Sequence, residues 1–334
     1  MSEARWYRQS GPEGDVVLST RVRLARNLPQ YPFPWRMAEA QKQEIVQLVR
    51  EAVQGENLDC LYVHTMRRRD AVALAEHHLI SPEFAESGEG ACVFLSKDES
   101  VSLMVNEEDH LRLQAMCAGF DLEGAYAKAD ALDTRLDRRL HFAFHPQLGY
   151  LTQCPTNLGT AMRASLMLHL PALEESGAIA QLSNTVSKLG MTMRGLYGEG
   201  SKPEGSIYQL SNQVTLGISE QQALDNLKGV ARQIIRAERT ERERLVQDPQ
   251  YVDRVWRALG ILRTARLLSH AEFMRLISYV RVGVAMKLVP EISLDTVNAL
   301  LSDAQPAAVM ASAGEDLEPE ARDRKRAELI RERL

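Results

Sequence analysis

The sequence predicts an α+β fold: an antiparallel sheet flanked by helices, followed by a C-terminal all-helical domain. Three observations carry that expectation. Short apolar runs of strand length recur up to about residue 211, divided by polar turns. Between them lie longer stretches with apolar residues at helical spacing. From residue 250 onward only the helical spacing remains. A chain of 334 residues can build one large domain and a smaller one.

The elements follow in order. Arg21 and Arg23 alternate in an extended segment, so both side chains point to one face of a strand. Residues 38–53 carry Ile45, Val46, Val49 and Ala52 on one face of an amphipathic helix, and a second helix covers about 67–78. Residues 91–95 and 101–105 are apolar on either side of Lys97-Asp98-Glu99-Ser100, a β-hairpin pattern. Glu107 and Glu108 then fall where a strand ends, and a helix is expected from near Asp109. Further strands are expected at 140–145, 164–170, 190–196 and 206–211, and helices at about 122–138, 172–188 and 219–245. Beyond residue 250, consecutive helices break around Ser269, Pro290 and Ala313-Gly314, and the charged segment Glu318 to Leu334 is strongly helix-forming. These patterns divide the chain into a lead (1–15), a sheet domain (16–241) and a helical domain (242–334).

Composition narrows the function. Hydrophobic residues at 45% and charged residues at 25% describe an ordinary globular protein. A net charge of −5 argues against a general nucleic-acid binder. Arginine outnumbers lysine, so local phosphate sites remain open. No run of about 18 apolar residues exists to span a membrane. Met1 to Gly14 is polar, so no secretory leader is expected. The four cysteines (Cys60, Cys92, Cys117, Cys154) show neither CxxC pairing nor metal-ligand spacing. No protein-held metal is expected, and a reducing cytoplasm is the simplest compartment.

The chemistry concentrates in four segments: Ser19 to Asn27, Asn106 to Arg112, Cys154 to Arg163 and Arg194 to Glu199. No GxxxxGK[ST] loop cradles phosphates, and the HRD and DFG sets of the hydroxyl kinases are absent. The glycine-rich stretch 195–205 is a weak signal alone. Arg21 and Arg23 suit bidentate pairing with phosphate, although a solvated edge strand reads the same way. Arg112 sits four residues after Glu108 and could form a plain ion pair. Arg163 and Arg194 stand at edges of apolar strands, where an unpaired charge is costly. Five such arginines favour phosphate.

A guanidinium acceptor needs fixed alignment and a carboxylate to take its proton, because its lone pairs are delocalised. Glu108 and Glu199 suit that role; taken singly, each reads as a surface acid. Cys154 is either an inert small hydrophobe or a thiolate favoured by cationic neighbours. His78 could touch a nucleotide, whereas His110, His141 and His145 read as core histidines.

The wording and order of these segments, including Asn-Glu-Glu-Asp-His and Cys-Pro-Thr-Asn-Leu-Gly-Thr, resemble the catalytic core of the guanidino (phosphagen) kinases over about residues 15–241. That resemblance implies the guanidino kinase catalytic fold, ATP and Mg2+. It implies that Arg21, Arg23, Arg112, Arg163 and Arg194 hold the ATP phosphates, with Ser19, Thr20 and Val22 in the first loop. His78 would stand at the edge of the nucleotide site. The loop Arg163, Ala164, Ser165, Leu166 and Met167 and the loop Arg194, Gly195, Leu196, Tyr197, Gly198 and Glu199 would line it. Glu108 and Glu199 would hold and activate the guanidinium, beside Cys154.

The chain also departs from creatine and arginine kinases. Its first arginine motif begins at residue 19, which leaves no room for their helical N-terminal domain, and it adds a helical C-terminal region. Both departures resemble the bacterial protein-arginine kinases. Arg322-Asp323-Arg324-Lys325-Arg326-Ala327 resembles the RDxxRA motif of that branch, which implies a phosphoarginine-binding, stimulatory site at Arg322, Asp323, Arg326 and Ala327. A solvated charged helix is the alternative. The same resemblance implies a McsA-like zinc-finger activator, the ClpC–ClpP protease, a CtsR-like repressor among protein substrates with exposed arginine, a possible homodimer, and a place in stress response and protein quality control. Two other functions stay open: a phosphagen kinase on a free guanidino metabolite, and a phosphoarginine-reading protease adaptor.

Overall fold

In the computed structural model, which describes residues 5–195 and 204–334, the short apolar runs join into one antiparallel eight-stranded sheet. Its strands are β1 (Val17–Arg26), β2 (Leu58–Leu61), β3 (Cys92–Ser96), β4 (Val101–Val105), β5 (Leu111–Ala118), β8 (Met162–His169), β9 (Met191–Gly195) and β10 (Ile207–Asn212). They lie in the order β2-β3-β4-β5-β1-β8-β10-β9. A two-stranded arm, β6 (Phe144–His145) with β7 (Gly149–Tyr150), stands apart, so the strand expected at 140–145 shrinks to its last two residues.

The helices are α1 (Glu39–Ala52), α2 (Arg68–Glu76), α3 (Leu122–Leu140), α4 (Pro171–Glu175), α5 (Ile179–Lys188) and α6 (Glu220–Leu245). The C-terminal region adds α7 (Pro249–Thr264), α8 (His270–Ala285), α9 (Leu294–Asp303), α10 (Pro306–Ala313) and α11 (Pro319–Arg331). Ser269 and Ser293 cap α8 and α9 through their hydroxyls, and Gly314, at φ 78°, ends α10 in a left-handed turn. The single helix expected at 172–188 is two, because Gly177 at φ 73° breaks it.

One expectation is corrected outright. No helix begins near Asp109; residues 106–110 form a turn, and Leu111–Ala118 is a strand at the middle of the sheet. The segment has no β-branched residue and is rich in helix formers, which misleads propensity. Its period-two alternation decides instead: Leu113 lies between Leu24 and Leu103 across the neighbouring strands, while Arg112 and Gln114 point the other way.

That alternation divides the sheet. One face carries Val22, Leu24, Leu113, Leu166 and Leu210, all at 1% exposure or less, and packs on α3 and α6. Burying each such side chain is worth about 1.5–3 kcal/mol. The other face has two covers. Towards β3 and β4, Val93, Met104 and Met116 join a small core with Phe84 and Trp6. Towards β8 and β10, Leu18, Met167 and Ile207 join the core of the C-terminal helices. Between the covers an open trough runs across β5, β1 and β8.

The lead is not loose. Arg8 pairs with Asp303 at 2.8 Å, Ser10 bonds Asp295, and Arg281 donates to the Gly14 carbonyl at 2.6 Å. Residues 5–15 thus tie the C-terminal helices to the sheet.

Candidate active site

The trough is lined by arginines because register puts them there. Arg21 and Arg23 alternate with Val22 and Leu24 on β1 and so leave the core. Arg163 is directly across from Arg23, Arg112 is across from Ala25, and Arg194 is across from Gln209. Residues directly opposite each other share a face. Arg26 shows the contrast. It points to the core face, where Asp133 holds it at 2.9 Å and its guanidinium lies 3.5 Å from the Tyr150 ring centroid. That arginine is satisfied within the fold.

Arg21 and Arg23 have no such ion pair among the described residues. Arg21 donates to Gln209 Oε1 at 3.2 Å, and the buried Nε of Arg23 has no hydrogen-bond partner among the described residues. Burial, with Arg112 and Arg163 nearby, lowers Arg21 to about 10. Burial, with Arg21, Arg112 and Arg163 around it, holds Arg23 well below the ordinary arginine value. Arg163 is lowered by burial and then by Arg194 and Arg112, opposed by Cys154 and Glu108. Guanidinium groups lowered by burial and then by one another mark a surplus of positive potential, which an anion relieves.

The acids sit at one end. Glu107 is drawn in: it accepts from Arg112 Nη1 at 2.5 Å and from Ser81 Oγ at 2.7 Å. Arg112 therefore pairs with Glu107, not with Glu108. Glu108 stays exposed on the rim of a cleft of about 490 Å3 shared with Arg23, Arg112 and Arg163. Burial, then Asp109 and Glu107, push the Glu108 carboxyl above its ordinary value, against the pull of Arg112 and Arg163. A carboxylate so raised is a better proton acceptor near neutral pH.

The turn bearing Glu108 is fixed from below. Asn106 adopts φ 62° and donates from Nδ2 to the Gly90 and Lys42 carbonyls. Asp109, 2% exposed, accepts from Asn27 Nδ2 at 2.6 Å and from the Gln153 backbone N–H at 2.8 Å. That second bond ties the Glu108 turn to the segment carrying Cys154, whose Sγ lies 3.0 Å from Thr156 Oγ1. Glu107, Asp109, Ser81 and Asn27 were not singled out by sequence reasoning. For the two acids the signal is the unbroken acidic run Glu107-Glu108-Asp109, which does not tell the partly and fully buried ones from the exposed one; nothing comparable marks Ser81.

Other expected site residues divide by strand alternation. Ser19, Ser165 and Met167 share the arginine face, whereas Thr20, Val22, Ala164 and Leu166 turn away. Thr20 is buried, with its hydroxyl donated to the Gly119 carbonyl, and the other three lie in the core beneath. Those four can offer a nucleotide no side chain. His78, at φ 61°, lies beside Arg21 and is pushed down to about 3 by burial, then by Arg21 and His77. Arg194 and Gly195 end β9 at the trough; Leu196, Tyr197, Gly198 and Glu199 lie outside the described residues. Among the described residues no three His, Cys, Asp or Glu side chains gather as metal ligands.

The RDxxRA segment lies on α11. Arg326 is fully buried and donates to the Ala304 and Leu268 carbonyls at 2.8 and 2.9 Å and to Asp323 at 2.5 Å. Its Nη2 and the Nε of Arg322 are buried without hydrogen-bond partners among the described residues. Ala327 is 1% exposed in the helical core. No described helix is long and apolar enough to cross a membrane.

Residues 40–241 match the family model of the ATP:guanido phosphotransferase C-terminal catalytic domain. Residues 248–334 match that of the protein-arginine kinase McsB C-terminal domain. The chain is 45% identical to a protein-arginine kinase of Symbiobacterium thermophilum, covering 100% of this chain and 97% of the relative. It is 43% identical to one from Brevibacillus brevis, covering 99% and 95%. Among solved structures, the duplicated taurocyamine kinase of Schistosoma mansoni superposes with a TM-score of 0.61 at 27% identity, covering 68% of this chain and 33% of that one. Lombricine kinase gives a TM-score of 0.61 at 21% identity, over 69% of this chain and 68% of that one, a likeness of fold alone.

Proposed function

We propose that this chain, which belongs to the protein-arginine kinases of the ATP:guanido phosphotransferase family, transfers the γ-phosphate of ATP to arginine side chains of proteins. The observation that carries the reading is the set of arginines that strand register gathers on one face of the sheet, Arg21, Arg23, Arg112, Arg163 and Arg194, ending at the exposed carboxylate of Glu108. The arginines receive the phosphates. Their charge, fixed before the substrate arrives, meets the charge that develops on the transferred group. Glu107 holds Arg112 in place, and Glu108 faces the acceptor.

In the transfer an acceptor guanidinium nitrogen bonds to the γ-phosphorus, the bond to the β-bridging oxygen breaks, and ADP leaves. The proton lost by the nitrogen goes to Glu108. Glu199 would be the second acidic grip, and Cys154 would steady the guanidinium electrostatically. Magnesium would arrive on the nucleotide, held by phosphate oxygens and water, as suits an ion that seldom takes an all-protein cage. The product should be phosphoarginine, whose P–N bond is acid-labile because protonation makes the nitrogen a good leaving group. Incubation with ATP, magnesium and an arginine-rich protein, then mass spectrometry under non-acidic conditions, should locate phosphate on arginine. Acid-stable phosphoserine as the main product would overturn the reading, and phosphorylation of free arginine alone would favour the phosphagen-kinase alternative.

We further propose that phosphoarginine binds α11 and stimulates the kinase. What supports this is the pair of buried guanidinium N–H groups on Arg322 and Arg326 that lack hydrogen-bond partners among the described residues, with Asp323 adjacent. Because Arg326 also ties α11 to the Ala304 and Leu268 carbonyls, Arg322 is the cleaner probe. Arg322→Ala should weaken phosphoarginine binding about ten- to a hundredfold, the worth of one charged hydrogen-bonded contact. Calorimetry showing unchanged affinity would return Arg322 to a solvated helix. A cytoplasmic setting, a zinc-finger activator, hand-over of phosphorylated proteins to ClpC–ClpP and a CtsR-like substrate complete the proposal on family grounds.

A further inference from the structure

A cleft of about 1170 Å3 lies where α4 and the turn before β10 meet α7 and α8. It shares no lining residue with the cleft of Arg23 and Glu108, and its charge is the reverse. Glu174, Glu175 and Glu204 line it against one cation, Arg275, which lies 3.8 Å from Glu272. Of the three acids, only Glu175 pairs with an arginine among the described residues, Arg254 at 3.1 Å. Glu174 accepts from the Tyr208 hydroxyl at 3.1 Å, and Glu204 faces His270 Nδ1 at 3.4 Å. Burial, against the pull of Glu204, lowers the His270 pKa, so the ring is neutral near pH 7 and leaves the Glu204 charge unmatched.

A group of surface acids alone specifies nothing; the floor of this cleft adds a second observation. Tyr251 lines it at 1% exposure, and its buried hydroxyl has no hydrogen-bond partner among the described residues. Burial, then Tyr279, push that phenol above its ordinary pKa, so it stays a neutral hydroxyl with lone pairs to offer. A buried polar group without a partner is a cost that a bound donor removes. Tyr279 also lines the cleft, its ring 5.7 Å from that of Tyr251. Arg254 shows what such a wall holds. Its guanidinium lies 5.1 Å from the Tyr251 ring centroid and 5.9 Å from that of Tyr279, with Glu175 closing the pair.

We propose that this cleft is a second binding site for protein substrates, taking a lysine or arginine side chain of the same polypeptide whose acceptor arginine enters the trough. Glu174 and Glu204 match its charge, and the Tyr251 hydroxyl accepts from its N–H. The spacing suits one chain. Arg163 in the trough and His169 are six residues apart on β8, about 20 Å, and Pro171 of the cleft follows His169 by two residues. On the order of eight extended residues bridge the two sites. Holding both makes the second contact intramolecular, so substrates with a distant basic residue bind more tightly than those with a lone arginine. The choice of substrate rests on the protein-arginine kinase reading; the capacity of the cleft for a cation does not.

Two acceptor peptides and one arginine-free lysine peptide test this on the full chain. The short acceptor carries one arginine and no other basic residue, and the long one continues for about eight residues to a lysine pair. The double variant Glu174→Gln/Glu204→Gln removes the two unmatched charges and keeps their shape. It should raise KM for the long peptide by about tenfold and leave kcat and the short peptide's KM within about twofold, which also shows that it is folded. Tyr251→Phe should raise the long peptide's KM by about threefold, the worth of one modest hydrogen bond. Calorimetry should show the lysine peptide binding wild type and weakened about tenfold in the double variant. An unchanged KM for the long peptide in the double variant, equal increases for both acceptors, or lysine-peptide binding that ignores the two substitutions would overturn the site. Lysine-peptide binding that depends on Glu174 and Glu204, with neither acceptor phosphorylated, would uphold the cation site and overturn the kinase reading instead.

Discussion

Replacing Glu108 with glutamine should lower kcat by on the order of 10²-fold or more while ATP binding changes little. Glutamine keeps the shape of the side chain but cannot take a proton from the attacking guanidinium. The phosphates rest on arginines across the trough, so nucleotide affinity has no reason to follow. The wild-type pH profile should carry the same signature. Burial and the neighbouring carboxylates raise the Glu108 pKa, and the base is active only when ionised. Activity should therefore fall as the pH drops through a value above the ordinary carboxylate range, and that acid limb should vanish or move in Glu108→Gln. Single-turnover rates across pH, with calorimetry for ATP, would check both statements. Turnover within threefold of wild type would mean that another group takes the proton.

Arg23→Met should move activity and stability in opposite directions. The substitution removes a charge from the centre of the phosphate trough, so kcat/KM for ATP should fall by about ten- to a hundredfold, the loss of one charge-assisted contact. The ligand-free protein should melt higher than wild type. Arg23 is half-buried beside Arg21, Arg112 and Arg163, its buried Nε has no partner among the described residues, and methionine fills similar space without charge. ATP should narrow the gap, because it stabilises the wild-type folded state more than the variant's. Thermal melts with and without ATP, next to steady-state rates, would decide. A lower melting point in the ligand-free variant would show that Arg23 is structurally compensated in a way the trough does not reveal.

The contrast between Arg23 and Arg26 shows where sequence reading ends. Both lie on β1, and both are arginines in one motif. Alternation alone puts them on opposite faces, and that much is legible. That Arg26 meets Asp133 and Tyr150 while Arg23 meets other arginines depends on α3 and β8, distant in sequence. The acidic run is similar. The motif flagged the turn, but only the close of the β4–β5 hairpin buries Glu107 on Arg112, buries Asp109 under Gln153 and leaves Glu108 at the rim. Expecting a helix there hid the pairing, since residues 108 and 112 are neighbours on a helix and not across a tight turn.

By itself the sequence determined the α+β class with helices to follow, most element positions, and the motifs whose resemblance to the guanidino kinases implied the phosphoryl chemistry. These are local properties: apolar period, caps and residue type report on neighbours within a few positions. Tertiary structure decided the rest. It made Leu111–Ala118 a central strand against its propensity, because two flanking strands and a buried face outweigh a few tenths of a kcal/mol per residue. It gathered arginines from separate strands on one face by register, and it set the C-terminal helices against Met167 and Ile207. Such contacts join residues from about 85 to about 150 positions apart, and no local pattern encodes which distant surface a face will meet.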